Sequence, residues 1–232
     1  MSKSAAAFVI MIVMCGFVTF AYATIHFESS DTSRFLVLLG VALLAGWLKL
    51  KLPGITGNMS INLPFILLGV SELGLLQTLF VACGSTMVQS LKKPRREIEW
   101  VQVAFNFFNM ALSVGLANYV VHHAIHQSSF LAAALRVSVA SGILFLANTI
   151  PVSAIISLTE AGALTKIWYR IFLWSFPYYL LSAGVASIFD SLNHHFEWQA
   201  PLLVLPLMIA VYHCYKGYFA FSPRRMASVA AD

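Results

Sequence analysis

Fourteen Lys and Arg residues are scattered along a chain made almost entirely of apolar runs. Their positions constrain the fold more than any other feature. Threading the runs through a bilayer puts twelve of them on one side. These are Lys3, Lys49, Lys51, Lys92, Lys93, Arg95, Arg96, Lys166, Arg170, Lys216, Arg224 and Arg225. Short loops rich in Lys and Arg stay cytoplasmic. The pattern therefore predicts a polytopic membrane protein with both termini inside. Arg34 and Arg136 are left without a topological explanation.

Composition agrees. Only 10% of the residues are charged and 59% are hydrophobic. About 25% charge is usual for a soluble domain, so most of this surface must face lipid. The net charge of +5 follows from the cytoplasmic bias, and nucleic acid is not an expected partner. Cys15, Cys83 and Cys214 all fall in apolar runs without ligand spacing, and they read as small buried residues.

The spans follow from the hydropathy breaks. The first covers about 5–25. A cleaved leader ending at Ala21-Tyr22-Ala23 is the competing reading, and an uncleaved span is favoured. The second covers about 34–50 and ends in Lys49 and Lys51. Segment 55–91 has cations on both flanks, so an even number of crossings must separate them. This predicts a helical hairpin over 60–70 and 74–91, with Glu72 near its tip. The first arm is short for a span and reads as re-entrant or discontinuous. Further spans cover about 101–121, 130–158, 166–188 and 199–218, and Pro151 is a kink site in the longest of them. The expected fold is an all-α transmembrane bundle of six full spans plus the hairpin. Residues 1–221 form one membrane domain and 222–232 a short basic tail. Trp47, Trp100, Trp168 and Tyr218 should mark the inner interface, and Tyr119 and Trp198 the outer one. Ala42/Gly46, Ala111/Gly115 and Ser182/Ala186 are small-xxx-small pairs suited to close helix packing.

Candidate site residues lie inside the spans. Gln102, Asn106, Asn109 and Ser113 are spaced by four, three and four, which puts them on one helical face. Amides in hydrocarbon need partners, so this face must turn inward. It serves either as interhelical hydrogen-bonding glue or as one wall of a polar cavity. Asn148 shares a face with Ser141, and Tyr178 lies in a stripe with Trp174 and Ser182. Together they could line an amphipathic pocket open to the outside. Arg136 lies several residues inside its span, where a cation is costly. Near the outer end, it either snorkels to the interface or points inward to pair with an acid or an anionic ligand, for which Glu72 is the candidate partner. Arg34, beside Glu28 and Asp31, reads as interfacial. His122, His123 and His126 lie in a predicted outer loop, as do His194 and His195. Without convincing ligand spacing they are expected to be solvated and to hold no metal. No enzyme motif is present, and no cofactor is implied.

Several stretches carry a resemblance. Leu52-Pro-Gly-Ile-Thr-Gly-Asn-Met-Ser60, the apolar hairpin, Lys-Lys-Pro-Arg-Arg and Val101-Gln-Val-Ala-Phe-Asn106 come first. Phe172-Leu-Trp-Ser-Phe-Pro-Tyr-Tyr179 and Trp198-Gln-Ala-Pro-Leu-Leu-Val-Leu-Pro206 follow. Over nearly its whole length the chain resembles the bacterial membrane-associated sensor domains of the MASE group. Those domains usually precede a cytoplasmic HD-GYP phosphodiesterase or GGDEF cyclase of cyclic-di-GMP signalling. The resemblance implies a signal-input module in the bacterial inner membrane whose last helix drives an output. Only 222–232 follow the last span, so neither catalytic activity is carried over, and a separate cytoplasmic output protein is the expected partner. The expected function is non-enzymatic sensing of a small amphipathic ligand among membrane lipids. The alternative is a solute-binding or transport subunit. By span count and size the chain also resembles the substrate-binding subunits of energy-coupling-factor transporters.

Overall fold

The computed structural model describes residues 2–27, 31–51, 58–91, 99–124, 130–160, 162–196 and 199–229. The Lys92–Arg96 run, Glu28, Pro53-Gly54, His126, Glu197 and Trp198 lie outside the described residues, as do the side chains of His194, His195, Tyr218, Arg224 and Arg225. The chain folds into eight helices and one small β-ribbon among the described residues. The helices are α1 (Lys3–Ile25), α2 (Thr32–Trp47), α3 (Leu63–Glu72), α4 (Leu75–Leu91), α5 (Trp100–Ala124), α6 (Phe130–Glu160), α7 (Leu164–Phe196) and α8 (Ala200–Val229). Strands β1 (Lys49–Lys51) and β2 (Asn58–Ser60) pair antiparallel, with Leu50 opposite Met59.

Four helices are long and apolar enough to cross a membrane: α1, and the apolar parts of α5, α6 and α7. The apolar parts of α2, α3, α4 and α8 are shorter. The outer surface fits lipid. Ile10, Met14, Phe17 and Val18 point away from the bundle on α1, and Leu180 and Ile188 do so on α7. Such a continuous apolar surface would be a liability in water.

The hairpin arms are α3 and α4, close to the expected 60–70 and 74–91. At about 1.5 Å per residue, the ten residues of α3 reach roughly 15 Å, half of a hydrocarbon core. The first arm is therefore short for a full span, as expected. Every residue from Ile61 to Val70 is buried, and α2, α4, α5, α6 and α7 all pack against α3. Its backbone ends are thus shielded from lipid, the condition under which broken helices are tolerated at membrane depth.

Small residues set the helix spacing elsewhere. A Cβ on Gly46 would lie 2.6 Å from the Ser85 carbonyl oxygen, so α2 and α4 touch backbone to backbone. Gly16 meets the Phe108 backbone in the same way and joins α1 to α5. Ala42, Ala111, Ser182 and Ala186 are all fully enclosed.

Some boundaries differ from the hydropathy reading. Helix α7 runs to Phe196, so Asp190 is a helical residue and not the start of a loop. Helix α8 runs to Val229, so most of the expected tail is helical. Pro151 and Pro177 both sit inside continuous helices. Trp168 is half-buried, and its indole Nε1 donates to Thr149 Oγ1 at 3.2 Å. Trp47, Trp100 and Tyr119 are exposed, as an interfacial belt requires.

Candidate functional site

The start of α3 is closed by its neighbours. Pro64 occupies the first turn, where its missing N–H costs nothing. The amides of Phe65 and Ile66 donate to the Asn62 carbonyl at 3.1 and 3.2 Å. The Leu63 amide donates to the Tyr178 hydroxyl at 3.3 Å. Asn62 Nδ2 donates to Ser85 Oγ at 2.8 Å, and Ser60 Oγ lies 2.6 Å from Asn62 Oδ1 and 2.9 Å from Gln89 Oε1. This end of α3 therefore presents no open donor to an anion. Tyr178, a residue of the expected ligand pocket, is 1% exposed and acts here as a cap.

The other end of α3 carries the charges. Glu72 pairs with Arg34, Nη1 to Oε2 at 3.5 Å. This corrects the sequence reading, in which Arg136 was the candidate partner of Glu72. Asp31 caps α2 by accepting from the Ser33 amide at 2.9 Å. That cap aims the first turn of α2, and Arg34 with it, at the hairpin tip. Ser71 donates to Asp190 Oδ1 at 2.6 Å, which ties α3 to α7. Thr78 Oγ1 bonds the Gly69 and Gly74 carbonyls at 2.7 and 3.1 Å and pins the turn between α3 and α4.

The satisfaction of this end is incomplete. The Glu72 side chain is only 3% exposed, and neither carboxylate oxygen has a hydrogen bond. Arg34 Nε is enclosed without a partner as well. Arg136 is half-buried, and its enclosed Nε also lacks a partner. Among the described residues no acid lies within ion-pair distance of Arg136.

The amide face of α5 divides along its length. Gln102 is exposed, contrary to the inward stripe, because it lies in the first turn beside the exposed Trp100. Asn106 is half-buried and donates to Ser90 Oγ on α4 at 3.4 Å. Asn109 is buried, and its Nδ2 donates to Asn148 Oδ1 on α6 at 2.9 Å. Asn148 Nδ2 donates onward to the Tyr179 hydroxyl on α7 at 3.2 Å. Ser113 donates back to the Asn109 carbonyl at 2.7 Å, and Ser141 donates to the Tyr179 carbonyl at 3.1 Å. These groups form a polar chain across three helices, which is the hydrogen-bonding glue of the two sequence alternatives. Asn109 Oδ1 remains enclosed without a donor. Sequence reasoning missed Tyr179, Asp190 and Ser71. The only available signal was their polarity inside or beside apolar runs.

One aromatic contact leads to the last helix. The Tyr178 ring meets the Tyr215 ring of α8 edge-on, with centroids 6.5 Å apart. Among the described residues no three His, Cys, Asp or Glu side chains group as metal ligands. The ring Nδ1 atoms of His122 and His123 each bond a carbonyl of their own helix, those of Asn118 and Tyr119. No protein-family model, no curated protein and no solved structure matches this chain.

Proposed function

We propose that this chain is a non-enzymatic signal-input module of a bacterial cytoplasmic membrane, with six full crossings, the α3–α4 hairpin and both termini cytoplasmic. The observation that carries this reading is the attachment of α3. Asp190 holds it at one end and Tyr178 at the other, both from α7. Tyr178 in turn abuts Tyr215 on α8. A displacement at the hairpin tip has a short physical route to the exit helix, through packed side chains and fixed hydrogen bonds. The MASE-like stretches and the cation distribution favour the same reading. The ligand is a small amphipathic molecule reaching the bundle from the lipid or the outer face. Arg136 Nε, Asn109 Oδ1 and the Glu72 carboxylate at the hairpin tip offer unmatched polar groups for it. A cytoplasmic output protein receives the shift of α8.

A solute-binding or transport subunit is the second reading. It is favoured by the fully buried discontinuous α3, since broken helices mark substrate sites in many transporters. One experiment separates the two. The protein is taken up in native lipid discs, and retained small molecules are identified by mass spectrometry. The compound found is then offered to sealed vesicles carrying the protein. Binding without uptake supports the sensor. Protein-dependent uptake overturns it.

A further inference from the structure

The buried charges at the hairpin tip form a cluster that neither sensing nor transport requires. Glu72 ends α3, and Arg34 reaches it from α2 at 3.5 Å. That separation is longer than the roughly 2.7–2.9 Å of a charge-assisted hydrogen bond. Both Glu72 oxygens are closed to solvent and accept nothing. A buried carboxylate normally accepts several donors. One enclosed cation at long range is a poor substitute for them.

The surroundings show what would complete the site. Arg34 and the cap residue Asp31 face it from α2, and Asp190 from α7. Helices α5 and α6 also pack against α3; α5 ends in the exposed His122 and His123, and α6 carries Arg136, which makes no ion pair among the described residues. Helix α4 carries no charged residue over its length. Asp190 already accepts the Ser71 hydroxyl at 2.6 Å. A metal cation would be repelled by the neighbouring Arg34 guanidinium, and the enclosed oxygens leave it no space. A proton meets both conditions. It neutralises the unsupported carboxylate and needs no room.

We propose that Glu72 is a proton-binding site, and that its protonation unlatches the hairpin tip from α2. In the ionised state Glu72 holds Arg34 and draws the start of α2 onto α3. A proton taken from the outer water onto a Glu72 oxygen removes the attraction. Arg34, with its flexible stem, then turns toward the water and the headgroups. The Ser71–Asp190 bond is unaffected, so α3 stays fixed to α7 while α2 moves. The latch works the same way in a sensor and in a transporter, so its test stands apart from that choice.

The test uses the full chain in lipid discs, without added ligand. Infrared difference spectra are recorded between about pH 3 and about pH 9, which covers ordinary carboxyl and histidine values. Spin labels at exposed Leu36 on α2 and Ile188 on α7 report the gap between those helices. Acid should produce a protonated-carboxyl band and a longer label distance with a common midpoint. Glu72→Gln should remove the band and hold the long distance at every pH. Should Glu72→Gln fail to fold, Arg34→Gln replaces it. Loss of the cation should raise the midpoint by about one to three pH units. A label distance independent of pH in the unmodified sequence overturns the proposal. So does a carboxyl band that survives Glu72→Gln, or a midpoint unmoved by Arg34→Gln.

Discussion

Removing one oxygen atom from Tyr178 should loosen the start of α3. Tyr178→Phe keeps the ring, and the side chain is 1% exposed, so no cavity of consequence opens. The loss reduces to the hydroxyl that accepts from the Leu63 amide at 3.3 Å. The nearby Asn62 carbonyl already serves Phe65 and Ile66. An orphaned buried donor costs about 1–3 kcal/mol. Interhelical hydrogen bonds in membranes average about 0.6 kcal/mol, because the unfolded chain also finds partners. The 3.3 Å length favours the lower part of the first range. We expect a loss of about 1 kcal/mol, between those two scales. Reversible unfolding in mixed micelles measures it, and amide exchange at Leu63 locates it. A stability change within about 0.5 kcal/mol of zero is what a substitution touching nothing gives. That result, with unchanged exchange at Leu63, would show that Tyr178 does not cap α3.

Five further substitutions test other parts of the bundle. Asn148→Ala cuts the links to both Asn109 and Tyr179 and should cost about 1.2 kcal/mol by the same unfolding assay, twice the average for one such bond; Tyr179→Phe should cost roughly half of that. Gly46→Leu forces a side chain against the Ser85 backbone 2.6 Å away and should cost about 1–3 kcal/mol by overpacking. Gly40 has no atom within 4 Å of the same position, so Gly40→Leu should leave the melting temperature nearly unchanged. Arg136→Ala should abolish retention of the co-purified ligand seen by mass spectrometry, whereas full retention in a folded variant would leave Arg136 as a boundary residue only.

The hairpin was legible because topology is a global sum. Cations at Lys49, Lys51 and Lys92–Arg96 flank one apolar segment, and the positive-inside bias turns that into an expectation of two arms, whatever the local propensity. The arms then fell near their observed limits of Leu63–Glu72 and Leu75–Leu91. Helix ends were less legible. Hydropathy marks where lipid stops, while backbone hydrogen bonding decides where a helix stops. Polar residues such as Asp190 therefore continue α7 beyond the apolar run. Pairings were hidden for another reason. Arg34 and Glu72 are far apart in the chain, and only the packing of α2 on α3 makes them neighbours. Gly16 escaped the small-xxx-small search because Ile12 and Phe20, its neighbours at that spacing, are large. Its close contact is with a backbone, and it needs no second small residue.

The position of α3 calls for polar pins and not for apolar burial. A helix with every residue from Ile61 to Val70 enclosed would be secured in water by its core. In a bilayer the alternative surroundings are also hydrocarbon, and burial of Leu or Phe against a neighbour gains mainly packing. Sliding α3 along α7 would exchange one apolar contact for another at small cost. What opposes sliding is directional. Tyr178 holds the first amide, Ser85 holds Asn62, and Asp190 holds Ser71. Two of these three groups belong to α7, and the ring of one meets α8. Perturbing a pin should therefore change where α3 sits before it changes whether the bundle holds. Perturbing the close packing at Gly46 or Gly16 should do the reverse. The placement of α3 and the stability of the bundle are thus expected to separate along the molecule, the first following the polar contacts of α3 and the second the small residues between α1, α2, α4 and α5.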